Sequence, residues 1–148
     1  MTLYINKSDF LNCSQCSALD GRMSEKYRIY GYRTATYQAA ADFSGGDKAE
    51  VTGDRTLNIE HGGKIIGTVS RKRKEILLDW GISILNGFPD KWTYKIGSRF
   101  SEDIAFAVSL VMINGSRYIR LEISDNEDPL ECLGFFLAIT DAICSIST

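Results

Sequence analysis

The stretch LECLGFFLAITDAICSI, residues 130–146, is the most apolar part of the chain and decides its fold. Asp128 and Pro129 precede it and read as a helix start, because aspartate can cap a first turn and proline fits the first helical position. Glu131 stands three residues after this cap, as in a capping box. Residues 133–139 are all apolar apart from one glycine, so a helix here is apolar on every side. Such a helix is buried, either in a protein core or in lipid.

Length decides between core and lipid. Glu131 and Asp141 limit the uninterrupted run to residues 132–140, far fewer than the about 20 residues that span a bilayer. We therefore predict a helix over residues 129–145 that is buried by protein and does not span a membrane. Few small architectures bury one helix on most of its sides. One that does is an antiparallel β-barrel, or a strongly bent sheet, wrapped around the helix, and we predict this mainly β fold (a β-rich α+β class) for a single domain of residues 1–148.

Two hairpins support the sheet. Residues 57–60 alternate apolar and polar side chains, His61-Gly62-Gly63 supplies a turn, and residues 64–69 form the returning strand; paired glycines between two such runs predict a hairpin. Residues 104–113 and 118–123 meet across Asn114-Gly115-Ser116-Arg117. The second arm alternates apolar and polar residues, which predicts a sheet with one buried face. The first arm is apolar on both faces and fits a central strand or a helix, and the adjacent Asn-Gly favours the strand. Weaker strands are expected near residues 3–6, 35–43, 47–53, 76–79, 82–85 and 92–97.

This arrangement resembles the tubby C-terminal-like superfamily, which includes tubby proteins, phospholipid scramblases and LURP-one-related proteins. Residues 57–72, LNIEHGGKIIGTVSRK, are similar to a hairpin of that family that ends in basic residues. Residues 128–143 resemble its closing apolar helix, which has an aspartate near its end, here Asp141. The resemblance implies a closed barrel with the helix inside and no ready interior enzyme pocket. It also implies phosphoinositide binding, membrane association or a transcription-linked role.

One charge run stands out as a candidate ligand site. Arg71, Lys72, Arg73 and Lys74 follow the second strand of the first hairpin. Arginine forks bind phosphate bidentately, and an anionic membrane attracts each cation by about 1 kcal/mol. The alternative is a solvated turn between strands. Because alternate residues of a strand face opposite ways, half of the run at most can point at one headgroup.

The charge composition argues against nucleic acid as a partner. The chain has 148 residues, a formal net charge of −2 and a pI of about 5.4. An acidic chain with one short basic run is a poor binder of nucleic acid. The first twelve residues lack the pattern of a signal peptide. We therefore expect a cytoplasmic protein, which would be peripheral at membranes if it binds lipid.

Signals for metal, redox or catalytic chemistry are weak. Cys13-Ser14-Gln15-Cys16 has a Cys-x-x-Cys spacing, but a zinc site needs a second pair of ligands and a thioredoxin-like motif needs a helix start after a strand. Reduced thiols in a loop or helix start explain it. His61 is the sole histidine and is expected to be exposed in its turn. Acidic residues before the apolar helix occupy a place where scramblases carry a calcium-binding segment, but a helix cap and a solvated loop explain them. We predict no cofactor, no metal site and no catalytic residues.

Two function hypotheses remain. The first is a non-enzymatic tubby-like module that uses residues 71–74 to bind anionic phospholipid headgroups or a membrane-associated partner. The second is a small acidic protein-interaction module, with an adaptor or immunity-like inhibitor role, whose surface strands dock a protein partner. Salt-sensitive binding to anionic liposomes distinguishes the first from the second.

Overall fold

A computed structural model describes residues 1–30, 38–42, 46–53, 55–72, 75–80, 91–97 and 104–146. These residues form eleven strands and two helices. The strands are β1 Thr2–Asn6, β2 Gln15–Leu19, β3 Glu25–Tyr30, β4 Gln38–Asp42, β5 Lys48–Gly53, β6 Thr56–His61, β7 Lys64–Lys72, β8 Glu75–Asp79, β9 Tyr94–Gly97, β10 Ile104–Ile113 and β11 Ser116–Ile123. The helices are α1 Lys7–Asn12 and α2 Pro129–Ile146.

The strands pair in one antiparallel order, β8-β7-β6-β5-β4-β3-β2-β1-β11-β10-β9. The order has two ends and is not closed into a barrel among the described strands, but it wraps strongly around α2. Trp80, just beyond β8, lies 6.4 Å from Phe106 of β10, measured between ring centroids. The two outer parts of the order therefore approach each other across the helix. Of the two predicted forms, the bent and wrapped sheet is confirmed.

Helix α2 begins as predicted. The Asp128 carboxylate accepts hydrogen bonds from the Leu130 and Glu131 backbone amides at 2.8 and 3.4 Å. Residues 132–139 are all buried, so the helix has no solvent-facing stripe along this length. Its end at Ile146 lies one residue beyond the predicted boundary.

Both hairpins are confirmed, and their turns have a local cause. Gly62 and Gly63 adopt φ of 62° and 80°, and Asn114 and Gly115 adopt 49° and 81°. These left-handed conformations suit glycine and asparagine and match the twist of a two-residue hairpin. In β11 the three predicted inward residues Ile119, Leu121 and Ile123 are buried. The strand starts two residues earlier than predicted, at Ser116.

Aromatic side chains on α2, and a glycine facing one of them, set the distance between the sheet and the helix. Phe135 stacks on Trp80 with ring centroids 4.2 Å apart, and Phe136 lies 5.7 Å from Phe10 of α1. A Cβ on Gly67 would collide with the Phe135 ring at 2.6 Å. Glycine in β7 therefore leaves the space that the Phe135 ring needs.

The sequence patterns miss α1 and β2. Asn6 caps α1 by accepting a hydrogen bond from the Asp9 amide at 3.0 Å, but a helix of six residues is too short to show a period. Strand β2, QCSAL, has few large apolar residues. The weak strand expected at 35–43 is observed as β4, and the one expected at 82–85 lies outside the described residues.

Candidate functional site

The two ends of α2 lie at opposite ends of the wrapped sheet. At its start, Glu131 contacts His61 in the β6–β7 turn, with 2.7 Å between Oε2 and Nδ1. At its last turns, Asp141 is close enough to Arg71, near the end of β7, for the arginine charge to oppose the rise that burial causes in the pKa of the aspartate. Strand β7 therefore runs alongside α2 from its N-terminal end to its C-terminal end.

The other half of the sheet has the same polarity. The Met1 ammonium donates to the Ile123 carbonyl at 3.0 Å and lies 3.6 Å from Asp125, close to the start of α2. Strand β1 runs away from this point until Asn6 pairs with Tyr118. The end of β1, the whole of α1 and the start of β11 therefore lie at the same end of the sheet as the last turns of α2.

The predicted basic run lies at this C-terminal end of α2. Arg71 pairs with the fully buried Ile76 and is two residues from the fully buried Val69, so strand alternation places it on the inner face of the sheet. Arg71 is nonetheless exposed because it stands at the margin. Lys72 ends β7 opposite Glu75, and Arg73 and Lys74 lie outside the described residues.

Arg71 has an acidic neighbour on the helix. Burial raises the pKa of Asp141, and the positive charge of Arg71 acts against that rise. The prediction that all four cations form one headgroup site stays a prediction, and Arg71 is the member whose charge acts on Asp141.

A cleft at the same end carries two more cations. It has a volume of about 370 Å³ and lies between α1 and the start of β11. It is lined by Asn6, Lys7, Ser8, Leu11, Asn12, Ser116 and Arg117. A volume of this size is within the range of small-ligand sites, and lysine and arginine on opposite walls suit an anion.

Exposed apolar residues flank the cleft. Leu11 is 40% exposed and Met112, the cross-strand partner of Arg117, is 63% exposed. The Lys7 and Lys91 ammonium groups lie 5.7 and 5.3 Å from the centroid of the Trp92 ring, within range of a cation–π contact. We call the cations Lys7, Arg71, Lys91 and Arg117 the basic rim.

The opposite end of the sheet holds an acidic cluster around His61. The Nδ1 atom of His61 lies 2.7 Å from Glu131 Oε2 and 3.9 Å from Asp128 Oδ2. The Nε2 atom lies 2.8 Å from Asp47 Oδ1, just before β5. We call these four residues the His61 cluster. The histidine side chain is 16% exposed, so the prediction of an exposed turn histidine is wrong.

The cluster raises the pKa of His61 and of the neighbouring Tyr27. Burial lowers the pKa of His61, but the hydrogen bonds to Glu131 and Asp47 and the nearby charge of Asp128 outweigh it and raise the pKa above 6.5. Burial, together with the charges of Asp128 and Asp47, raises the pKa of the Tyr27 phenol. The carboxylates therefore act together as one negative region at the start of α2.

The same atoms are close enough together to be compared with the ligands of a metal ion. His61, Asp128 and Glu131 each bring a nitrogen or oxygen within 4.8 Å of the others. Two ligands of one tetrahedral zinc, each about 2.1 Å from the ion, lie about 3.4 Å apart. The 2.7 Å between Nδ1 and Oε2 is instead the length of a charge-assisted hydrogen bond. The geometry of the cluster is that of an ion-paired histidine.

Cys13 and Cys16 do not lie where a thioredoxin-like redox motif needs them. Cys13 is exposed and follows α1, whereas Cys16 is buried within β2. A thioredoxin-like motif needs both cysteines at the start of a helix. The expected loop or helix start is wrong for Cys16, which belongs to strand β2.

Local sequence patterns indicate neither the cleft with its basic rim nor the contacts of the His61 cluster. Lys7 and Arg117 are brought together because β1 pairs with β11, and His61 meets Glu131 across 70 positions of the chain. Glu131 is recognisable as a capping residue, but its contact with His61 depends on how the β6–β7 turn meets α2. The Asn6-x-x-Asp9 spacing is the one available signal, since it marks the start of α1.

Comparison with known proteins adds the fold alone. Among the described residues, no helix has both the length and the apolar character needed to cross a membrane. No protein-family model matches the chain. No curated protein matches it either. The crystal structure of a protein from Arabidopsis thaliana, AT5G01750, is similar with a TM-score of 0.58 and 11% sequence identity, over 99% of this chain and 91% of that one.

Proposed function

We propose that the protein is a non-enzymatic module of the tubby-like type, close to the LURP-one-related and scramblase-like proteins, that binds the headgroups of anionic phospholipids. The proposal draws on the sheet wrapped around one buried helix and on the shared fold with the Arabidopsis protein. The observation that carries it is the basic rim. Lys7 and Arg117 line one cleft, Lys7 and Lys91 lie against Trp92, and the direction of β7 points Arg71 towards the same end of the sheet.

The chemistry of the rim suits a membrane surface. Lys7 and Arg117 line a cleft that is open to solvent, and exposed Leu11 and Met112 stand beside it. Cations attract the negative surface of a bilayer, and neighbouring apolar side chains gain by entering its interfacial layer. Arg71 and Lys72 of the predicted run end β7 towards the same end of the sheet, and their charges would add to the same field.

The distribution of charge fixes an orientation. The His61 cluster and Asp125 place negative charge at the start of α2, at the opposite end of the sheet. An anionic membrane repels that end and attracts the basic rim. The net charge of −2 therefore does not by itself oppose binding, because the carboxylates of the His61 cluster lie away from the basic rim.

The cleft variant Lys7→Gln/Arg117→Gln tests the proposal. At about 1 kcal/mol per cation, we expect vesicle affinity to fall by about 2 kcal/mol, or about 30-fold. The run variant Lys72→Gln/Arg73→Gln/Lys74→Gln is expected to lose at least as much. Co-sedimentation with vesicles that contain phosphatidylserine measures both effects.

The control for net charge is Arg22→Gln/Lys64→Gln, which removes one arginine and one lysine from exposed turns at the acidic end. It should bind vesicles like the wild type or slightly less. Equal losses in the cleft variant and this control would refute a localised rim. Salt-tolerant capture of one protein partner, with no binding to vesicles, would instead favour the adaptor or inhibitor function.

A further inference from the structure

In the His61 cluster, both ring nitrogens of one histidine contact carboxylates, and this constrains the protonation state of the ring. Both ring nitrogens of His61 lie within 2.8 Å of carboxylate oxygens, Nδ1 of Glu131 and Nε2 of Asp47. An ionised carboxylate only accepts hydrogen bonds, and a neutral imidazole has a single N–H. Both contacts can therefore be hydrogen bonds only when the ring carries two protons.

The three partners belong to different parts of the fold. His61 ends β6, Glu131 is in the first turns of α2, and Asp47 precedes β5. Contacts from one ring thus tie the start of the buried helix and the chain leading into β5 to the β6–β7 turn. Loss of the ring proton leaves one carboxylate facing a nitrogen lone pair, which is repulsive.

We propose that His61 is a proton-operated clasp, which in its protonated form holds the start of α2 and the chain at Asp47 against the β6–β7 turn, and which releases one of these contacts when it is neutral. The clasp is separate from the basic rim and does not depend on lipid binding. Unlike a metal site, it needs no ligand other than the proton.

The charged and titratable groups around the ring include three carboxylates, which together favour its protonated form. They come from α2 and its cap, from the segment before β5, from β3 and from the facing end of β7, and they are Glu131, Asp128, Asp47, Tyr27 and Lys64. Three of the five are carboxylates, and Lys64 is the exposed cation across the turn. The ring is also largely shielded from water, which strengthens each of these interactions.

The sign of the pH dependence follows from the direction of the shift. The pKa of His61 is raised in the folded protein relative to 6.5. The clasp therefore contributes its full stabilisation below about pH 6.5, and this contribution is lost as the pH rises through the folded pKa. We expect the urea midpoint of unfolding to fall across that interval.

NMR gives a direct test, because the chain has a single histidine and hence a single imidazole Cε1–H signal. We expect His61 to titrate above 6.5 in the wild type and at lower pH in Glu131→Gln and Asp47→Asn. Glu122→Gln, on the exposed face of β11, is the matched control and should leave the titration unchanged. A wild-type pKa at or below 6.5 would overturn the proposal.

The second readout is the pH dependence of stability. The fall in urea midpoint with rising pH should be absent in His61→Gln and reduced in Asp47→Asn, whose side chain is 60% exposed and whose substitution leaves the core intact. The amides of Leu130 and Glu131 should exchange faster with solvent above the His61 pKa than the pH effect on intrinsic exchange explains. If His61→Gln or Asp47→Asn showed the wild-type pH dependence, the histidine would not be the clasp.

Discussion

Replacing Phe136 with aspartate is expected to unfold the protein. Phe136 is fully buried on α2, and its ring lies 5.7 Å from that of Phe10. Truncating a buried phenylalanine costs about 3–5 kcal/mol, and a carboxylate left without partners in an apolar core adds several kcal/mol. The sum is comparable with the total stability of a domain, which is about 5–15 kcal/mol.

Circular dichroism and the dispersion of amide NMR signals measure this outcome. The matched control is Ile65→Asp, which introduces the same carboxylate at a residue that is 58% exposed and should leave the fold intact. A Phe136→Asp variant that stayed folded and became more soluble would place this side chain on the surface. The buried-helix fold would then be wrong.

The second large effect concerns Gly67 in β7. A Cβ at this position would clash with the Asp79 carbonyl oxygen and would lie 2.6 Å from Phe135 Cζ. Backbone cannot move aside cheaply, and the Phe135 ring is fixed by its stack on Trp80. We expect Gly67→Ala to lower the free energy of unfolding by about 2–3 kcal/mol, as overpacked cores do.

Gly97→Ala is the control for replacing a strand glycine with alanine where no clash results. Gly97 ends β9, and a Cβ there would have no heavy atom within 4 Å. We expect this variant to be as stable as the wild type or slightly more stable, because alanine reduces the entropy of the unfolded chain. Urea unfolding of both variants gives the comparison. Equal stability of the two would show that β7 does not approach α2 as closely as described.

The parts of the fold that could be predicted are those with local causes. Asp128 and Pro129 mark the start of α2, and the glycine turns at residues 62–63 and 114–115 fix the two hairpins. Alternation then assigns the inward face of β11. Each of these signals lies within about ten residues of the element that it specifies, so no knowledge of the fold is needed.

The candidate sites could not be predicted because they depend on which strands become neighbours. Nothing in the sequence near Lys7 indicates that β1 pairs with β11, and so nothing indicates a cleft shared with Arg117. His61 reads as an exposed turn residue until the start of α2 is placed beside it. Whether the sheet closes into a barrel is equally beyond local signals, because closure depends on whether β8 and β9 meet.

The His61 cluster and the basic rim lie near opposite ends of α2. Carboxylates near the helix start and the Arg71 cation near its last turns both complement the helix dipole, with its positive end at the start. The same arrangement that suits the helix leaves one negative and one positive end of the sheet. We infer that the basic rim faces its anionic partner while the His61 cluster stays in solvent.

The most direct test of the proposed function is co-sedimentation of the wild-type protein with neutral and anionic vesicles at low and moderate salt. We expect binding to anionic vesicles that falls as salt rises, and little binding to neutral ones, because exposed cations are screened over about 10 Å at 0.1 M salt. Absence of binding to anionic vesicles at low salt would contradict the proposed function.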